Sequence, residues 1–383
     1  MAAVQETVAT VPIRTRQKRS AEVIVVGASL SGLQAAHEVQ RSGSSCLVLE
    51  ARSRVGARPA YDVSPSVDAF DESKHARVVQ LARQLGLAVG PQRPSDRLAM
   101  EGLGGSEAGG IPDHLAEEDC RSFVRVRDNV EHLCQRVDVN RPAQLLSNYG
   151  SMTMHELAVS QGGTAAVQKL VSAWATALFA LPSDSVSALY FLVHCKSNGG
   201  LLETLSLLGG SQGNLQLPGG SRRLCEELAD RLQPGSVLLS QEVEAVDQRA
   251  GNKCVLTTRS GDEFHCTTVI LGSPASQCRS LDFAPGLSED KQWLRGHRAP
   301  APVDALEPER DEEVACLAVP AINLHNLQRD QWRPEGSIVF AGSETSFAWR
   351  GTAEGALAAG CRAAGEAVRA LGDRPSSVPV SRL

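Results

Sequence analysis

The sequence predicts an α/β protein in which a parallel-sheet domain, assembled from distant stretches of chain, carries a second, mainly helical domain. Three observations predict it. Ala21 to Ala36, "AEVIVVGASLSGLQAA", runs from a β-branched strand through a glycine turn into a helix, and "SSCLVLE" follows as a second strand. Towards the other end, "GSIVFAGSET" is a strand entering a glycine turn, and "GTAEGALAAGCRAAGEAVRAL" is a helix of small residues. Between these ends, most segments from Asp113 to Leu208 read as helix. A strand–helix–strand start implies a parallel sheet, because parallel neighbours need a crossover connection.

Each element has its own signal. Val23–Val26 is an unbroken β-branched run, as expected of a strand buried on both faces. Leu33, Ala36 and Val39 then recur at helical spacing, and Gly43 stops the helix. From Asp71 the texture changes: "DESKHARVVQLARQLGL" is amphipathic, and Gly102–Gly110 reads as a loop. "AAVQKLVSAWATALFAL" is a helix halted at Pro182. "LPGGSRRLCEELADRL" is a turn and a helix. "SVLLSQEVEAVDQ" reads as a strand, "CVLTTRSGDEFHC" as a hairpin and "TTVILGSP" as a buried strand. Leu294–Asp311 is a connector rich in Pro, Arg and acids. The expected division is a leader at 1–20, a discontinuous first domain of 21–70, 212–290 and 335–372, a second domain of 71–211 and 291–334, and a tail at 373–383.

Composition narrows the function classes. A chain of 383 residues with 42% hydrophobic and 21% charged residues can bury a large core. A net charge of −6 gives no global pull towards nucleic acid or an anionic membrane. The ten cysteines form no CxxC pair and have no histidine spaced to complete a zinc site, which points to free thiols in a reducing compartment. No run reaches the ~20 apolar residues of a membrane-spanning helix. The leader has no apolar core of a secretory signal and is expected to be disordered. Ser381-Arg382-Leu383 closes the chain as a variant of the peroxisomal tripeptide SKL, behind an exposed Pro/Ser-rich lead-in. Peroxisomal import through the receptor for that signal is the expectation, with a cytoplasmic location as the alternative.

The glycine turn carries the first chemistry. In a dinucleotide site the first glycine permits the turn, the middle one admits the pyrophosphate, and the third lets helix and strand pack closely. Here Gly27 and Gly32 hold the first and third positions and Ser29 the second. A Cβ at that point crowds a diphosphate, although a serine hydroxyl can donate to a phosphate oxygen. Glu50, at the end of the second strand, stands where an acid would take ribose hydroxyls. On these residues alone, a plain tight turn without ligand remains open.

The segments that follow resemble the FAD-dependent amine oxidases of the monoamine oxidase family. "VLEARSRVGAR" is similar to the family's LEARxRxGGR, with Gly56 matching and Ala57 departing from the second glycine. "FAGSETSFAWRGTAEGALAAGCRAA" resembles its closing motif, most closely that of the fungal members. The resemblance implies an FAD-binding, Rossmann-like domain of the p-hydroxybenzoate-hydroxylase type beside a truncated helical substrate domain. By position, Gly27, Ser29, Ser31 and Gly32 would meet the diphosphate and Glu50 the ribose. Arg52, Ala57 and Arg58 would lie near the diphosphate and flavin, and Val243 at the adenine. Gly342, Ser343 and Glu344 would sit beside the ribityl chain, with backbone N–H groups of Gly351, Thr352 and Ala353 facing the flavin's pyrimidine carbonyls. The implied cofactor is non-covalent FAD, the substrate an amine, and the electron acceptor O2, reduced to H2O2.

The same resemblance marks departures at the reactive end, and no catalytic residue is assigned. The tyrosine expected after Gly351 is Thr352, and Tyr61, Tyr149 and Tyr190 all lie outside the C-terminal third, so the family's aromatic pair is incomplete. The family's lysine near the flavin has no counterpart; Lys291 is too early and reads as an exposed helix-surface residue. After Arg58 the family's glycine pair and tryptophan are missing. Cys316 lies near a position of covalent attachment in some members, and burial as an inert thiol is the reading here. Trp349 serves turn packing or substrate contact; His194 and Cys195 read as core. Three functions follow: an amine oxidase with an altered pocket, an FAD-dependent oxidase or desaturase of a non-amine, or a non-catalytic homologue.

Overall fold

The computed structural model describes residues 16–56, 69–91, 110–112, 114–141, 149, 151–179, 181–209, 215–251, 253–273, 277–289, 291 and 332–372. The first part comprises β1 Lys18–Ser20, β2 Val23–Val26, α1 Leu30–Arg41, β3 Cys46–Leu49, β4 Ala69–Phe70, α2 Ala76–Gln84 and β5 Gly90–Pro91. Helices α3 Glu117–Arg136, α4 Met154–Ser160, α5 Ala165–Phe179, α6 Ala188–Ser197 and α7 Leu201–Gly209 follow. Then come β6 Leu215–Gln216, α8 Gly220–Asp230, β7 Val237–Leu238, β8 Val243–Asp247, β9 Cys254–Thr258, β10 Glu263–Cys266 and β11 Thr268–Leu271. The last are β12 Asp282–Ala284, β13 Ile338–Phe340 and α9 Ala353–Gly372.

Five strands form an all-parallel sheet in the order β13–β11–β2–β3–β7. The strands are apolar but for Thr268 because both faces are covered, and their alternation divides two cores. Val23 and Val25 point to a core shared with α1, α2, α8 and α9, whereas Ile24 and Val26 point to the opposite face. Cys46 and Val48 likewise join the first core, and Leu47 and Leu49 the second. That second core is closed by a mixed sheet in the order β1–β10–β9–β8–β12. A third core lies within α3 to α7, around Phe123, Trp174 and Phe191. A short antiparallel sheet, β4–β6–β5, joins the segments on either side of these helices.

Two readings of the sequence are corrected. Residues 18–20, assigned to the leader, form β1, paired in parallel with β10. "SVLLSQEVEAVDQ" is not one strand: Ser240 takes a left-handed φ of 55°, so β7 joins the parallel sheet and β8 the mixed one. The left-handed region turns the chain between the two sheets.

Candidate cofactor site

All five parallel strands end at one edge, where open α/β sheets bind ligands. There β2 runs into Gly27, whose φ of +98° belongs to the left-handed region that a side chain disfavours. Gly32 packs so tightly on the Gly27 carbonyl that a Cβ would overlap it. Both glycines do what the spacing predicted. Ser29 does something else. Its backbone is extended (φ −71°, ψ 169°), open to any residue, and it is the N-cap of α1. Its Oγ accepts the Gly32 N–H at 3.2 Å and donates to the Gly272 carbonyl at 2.6 Å. The expected hydroxyl for a phosphate is thus committed to the protein. Ser31, 3.0 Å away between Oγ atoms, belongs to the same cluster. The amides of Leu30 and Ser31, in the first turn of α1, have no acceptor within their own helix and offer the N-terminal dipole end.

Glu50, 8% exposed, completes this end. Its Oε2 accepts the Ala28 N–H at 2.7 Å and its Oε1 the Arg52 N–H at 3.0 Å. Each carboxylate oxygen keeps one further acceptor position, the requirement for a pair of ribose hydroxyls. The Arg52 side chain is exposed. The chain returns at Gly56, whose N–H donates to the Ala28 carbonyl at 2.9 Å. Ala57, Arg58, Cys316 and the terminal tripeptide lie outside the described residues. Val243, buried at the start of β8, is near this group, since Gln241 N–H donates to the Glu50 carbonyl at 2.8 Å. The donor set fits the adenosine-diphosphate end of FAD.

The closing motif arrives at the same edge, because β13 is separated from β2 only by β11. At the ~4.8 Å strand spacing the two strand ends lie about 10 Å apart. The Arg362 guanidinium ties this corner: Nη2 donates to the Phe340 carbonyl and to Thr345 Oγ1, both at 2.7 Å. Gly342 lies directly under the Glu344 carboxylate, which a Cβ at that position would displace. The turn at 349–353 is more closed than the sequence implied. Gly351 N–H donates to the Ser343 carbonyl at 3.3 Å and Thr352 N–H to the Trp349 carbonyl at 3.1 Å. Of the three amides expected to face a flavin, these two are turned into the protein. Ala353, the first residue of α9, keeps an amide without an acceptor in its own helix. Thr352, in place of a tyrosine, caps α9: Oγ1 accepts the Gly355 N–H at 3.3 Å and donates to the Trp349 carbonyl at 2.7 Å.

Trp349 is a packing anchor with a left-handed φ of 56°. Its N–H donates to the Ser197 carbonyl at the end of α6, and its ring meets that of His75 at 4.3 Å in a T-shaped contact. His75 precedes α2; its Nδ1 accepts the Asp71 N–H at 2.9 Å, and its buried Nε2 has no hydrogen-bond partner among the described residues. Burial holds the imidazole below its ordinary pKa. Arg350 is 2% exposed; Nε donates to the Ser346 carbonyl, Nη2 has no hydrogen-bond partner among the described residues, and desolvation lowers its pKa. His194 is pushed down to about 4 by desolvation and by Arg350, and Tyr190 up to about 12 by burial. Cys195 is buried, as expected of a core thiol. Lys291 is a correction: it is 4% exposed, with Nζ donating to the Arg333 carbonyl at 2.9 Å and standing 4.9 Å from the Phe340 ring centre.

Sequence reasoning missed His75, Arg350, Glu354 and Arg362 as members of this corner. Glu354 and Arg362 were visible only as letters of a motif, and His75 only as the polar start of a helix. Among the described residues no group of three or more His, Cys, Asp and Glu side chains is placed to hold a metal. No helix among them is long and apolar enough to cross a membrane.

Comparison with known proteins agrees with this geometry. The family described as flavin containing amine oxidoreductase matches residues 30–295 and 315–368. The chain is 27% identical to the flavin-containing amine oxidase A of Equus caballus over 289 residues, 71% of this chain and 53% of that protein. It is 28% identical to the human flavin-containing amine oxidase B over 277 residues, 70% of this chain and 52% of that protein. It therefore spans about half the length of these curated relatives. A putrescine oxidase solved with putrescine bound superposes with a TM-score of 0.74 at 15% identity, covering 92% of this chain and 100% of that one. Cyclohexylamine oxidase from Brevibacterium oxydans IH-35A gives 0.71 at 17% identity, covering 92% and 99%.

Proposed function

Because the chain belongs to the flavin containing amine oxidoreductase family, we propose that it binds FAD non-covalently at the carboxyl edge of the parallel sheet and oxidises an amine. One observation carries this reading: the Gly27–Glu50 turn and the Gly342–Ala353 motif, from opposite ends of the chain, meet at one edge. Glu50 and the start of α1 would hold the ribose and diphosphate, with Val243 at the adenine. The Gly342–Glu344 turn and the Ala353 amide would face the ribityl chain and flavin.

When bound, FAD would supply the redox chemistry: the amine-bearing carbon would lose a hydride and the amine nitrogen a proton, and the two electrons and two protons would reduce O2 to H2O2. The residues here orient and enclose. The buried His75 ring, packed against the half-buried Trp349, and the capped turn at 349–353 would help to shield one side from water. The decisive measurement is flavin absorption of the purified chain. A yellow protein bleached anaerobically by a primary amine supports the proposal; a colourless protein that takes up no added FAD overturns it.

Thr352 favours a second reading. With its hydroxyl capping α9 and its amide closing the turn to the Trp349 carbonyl, it gives no aromatic surface to an amine, which suits FAD-dependent oxidation or desaturation of a non-amine skeleton. A yellow protein indifferent to amines selects this reading. For location we propose peroxisomes, on the terminal Ser381-Arg382-Leu383. A reporter ending in this tripeptide should enter them; a cytosolic reporter would reject the proposal.

A further inference from the structure

Helix α2 starts without a cap of its own: His75, at its N-cap position, makes no side-chain hydrogen bond to the helix. The missing acceptor comes from the far end of the chain. Glu354, in the first turn of α9 and 3% exposed, accepts the Arg77 N–H through Oε1 at 3.3 Å and the Val78 N–H through Oε2 at 3.0 Å. These are the second and third helical amides, which a local cap would normally satisfy. The Arg77 side chain adds a bond from Nη1 at 3.1 Å. One carboxylate therefore stands at two helix N-termini, and each favours its negative charge.

We infer that Glu354 is a positioning residue: it clasps the start of α2 to the start of α9 and thereby sets the turn at 349–353 against His75. Two further contacts converge on this clasp. The His75 ring, one residue before α2, meets Trp349, and the Trp349 carbonyl holds the Thr352 cap of α9. Releasing α2 frees His75, and the turn loses the ring packed against it. The consequence for flavin rests on the FAD reading above; the clasp itself does not.

The test combines amide hydrogen exchange of the chain without FAD, FAD affinity by fluorescence titration, and the absorption spectrum of bound flavin. Glu354→Ala should raise exchange at Arg77 and Val78 about tenfold, the scale of a lost cap, while Val25 and Val48 in the central strands stay protected. It should also weaken FAD binding about tenfold and shift the flavin band. Glu354→Gln keeps one acceptor and should fall between, which also serves if the alanine variant does not fold. Arg77→Leu, which leaves both backbone bonds to the carboxylate, should change each quantity less than Glu354→Ala does, because the Arg77 side chain is itself more than half exposed. Unchanged exchange at Val78 in both Glu354 variants overturns the clasp. A lower Tm with unchanged FAD affinity and flavin spectrum overturns the positioning role. If the wild-type chain takes up no FAD, the exchange result still judges the clasp, and the FAD reading fails separately.

Discussion

Ser29 shows how one residue can depart from a fingerprint without dismantling the site. Its extended backbone needs no glycine, and its hydroxyl joins α1 to the exit of β11. Ser29→Ala should therefore lower the stability of the cofactor-free chain by about 1 kcal/mol, and Ser29→Gly by only a few tenths; urea midpoints check both. Glu50 is more demanding, because both of its oxygens hold backbone amides. A glutamine has one acceptor oxygen, so Glu50→Gln should leave one buried N–H unpaired and cost about 1–3 kcal/mol. FAD affinity should fall at least about tenfold by fluorescence titration. His194 adds a pH dependence. Its folded pKa of about 4 lies below the ordinary 6.5, so the unfolded chain takes the proton first as pH falls. The stabilisation is complete above 6.5 and is lost as pH falls through 6.5 towards 4. Between pH 7 and pH 5 the wild type should lose about 2 kcal/mol more than His194→Gln, a difference that paired urea melts resolve.

Among the described elements, α1 and α9 make the most extensive contact. A Cβ on Gly360 would come within 2.5 Å of the Ser31 carbonyl oxygen and 2.9 Å of Gln34 Cβ. Gly360→Val should then force the helices apart, at about 1–3 kcal/mol, and misplace the α1 amides; a lower urea midpoint together with weaker FAD binding is the expected signature. The elements themselves were largely legible, because β2, the Gly27 turn, α1 and β3 are written in local periodicity. What was not legible depends on partners distant in sequence. Lys291 has polar neighbours in the chain and reads as surface, yet a carbonyl 42 residues away and the Phe340 ring bury it. Ser29 and Thr352 read as losses from a cofactor site, since capping bonds leave no periodic trace. The Glu354 clasp spans more than 270 residues and has no local signature.

For the whole molecule, the expectation of an α/β fold built on a parallel sheet matches the architecture, and the structural likeness to a solved putrescine oxidase covers 92% of the chain. A cofactor bound only by the native state should stabilise all of it. At 100 times its Kd, FAD should add about 2.7 kcal/mol, read as a raised urea midpoint, and for Glu50→Gln at the same FAD concentration the gain should fall to about 1.4 kcal/mol or less. The pairing of α1 with α9 also fixes when this molecule can finish folding. Gln34 Nε2 donates to Cys361 Sγ across 327 residues of sequence, and β11, the inner neighbour of β2, is likewise made late. As the chain leaves the ribosome, the turn at Gly27 and the apolar face of α1 emerge well before their partners, Cys361 following Gln34 by 327 residues. Such long-range closure slows folding. During that interval the first helix is the segment with most to gain from a chaperone.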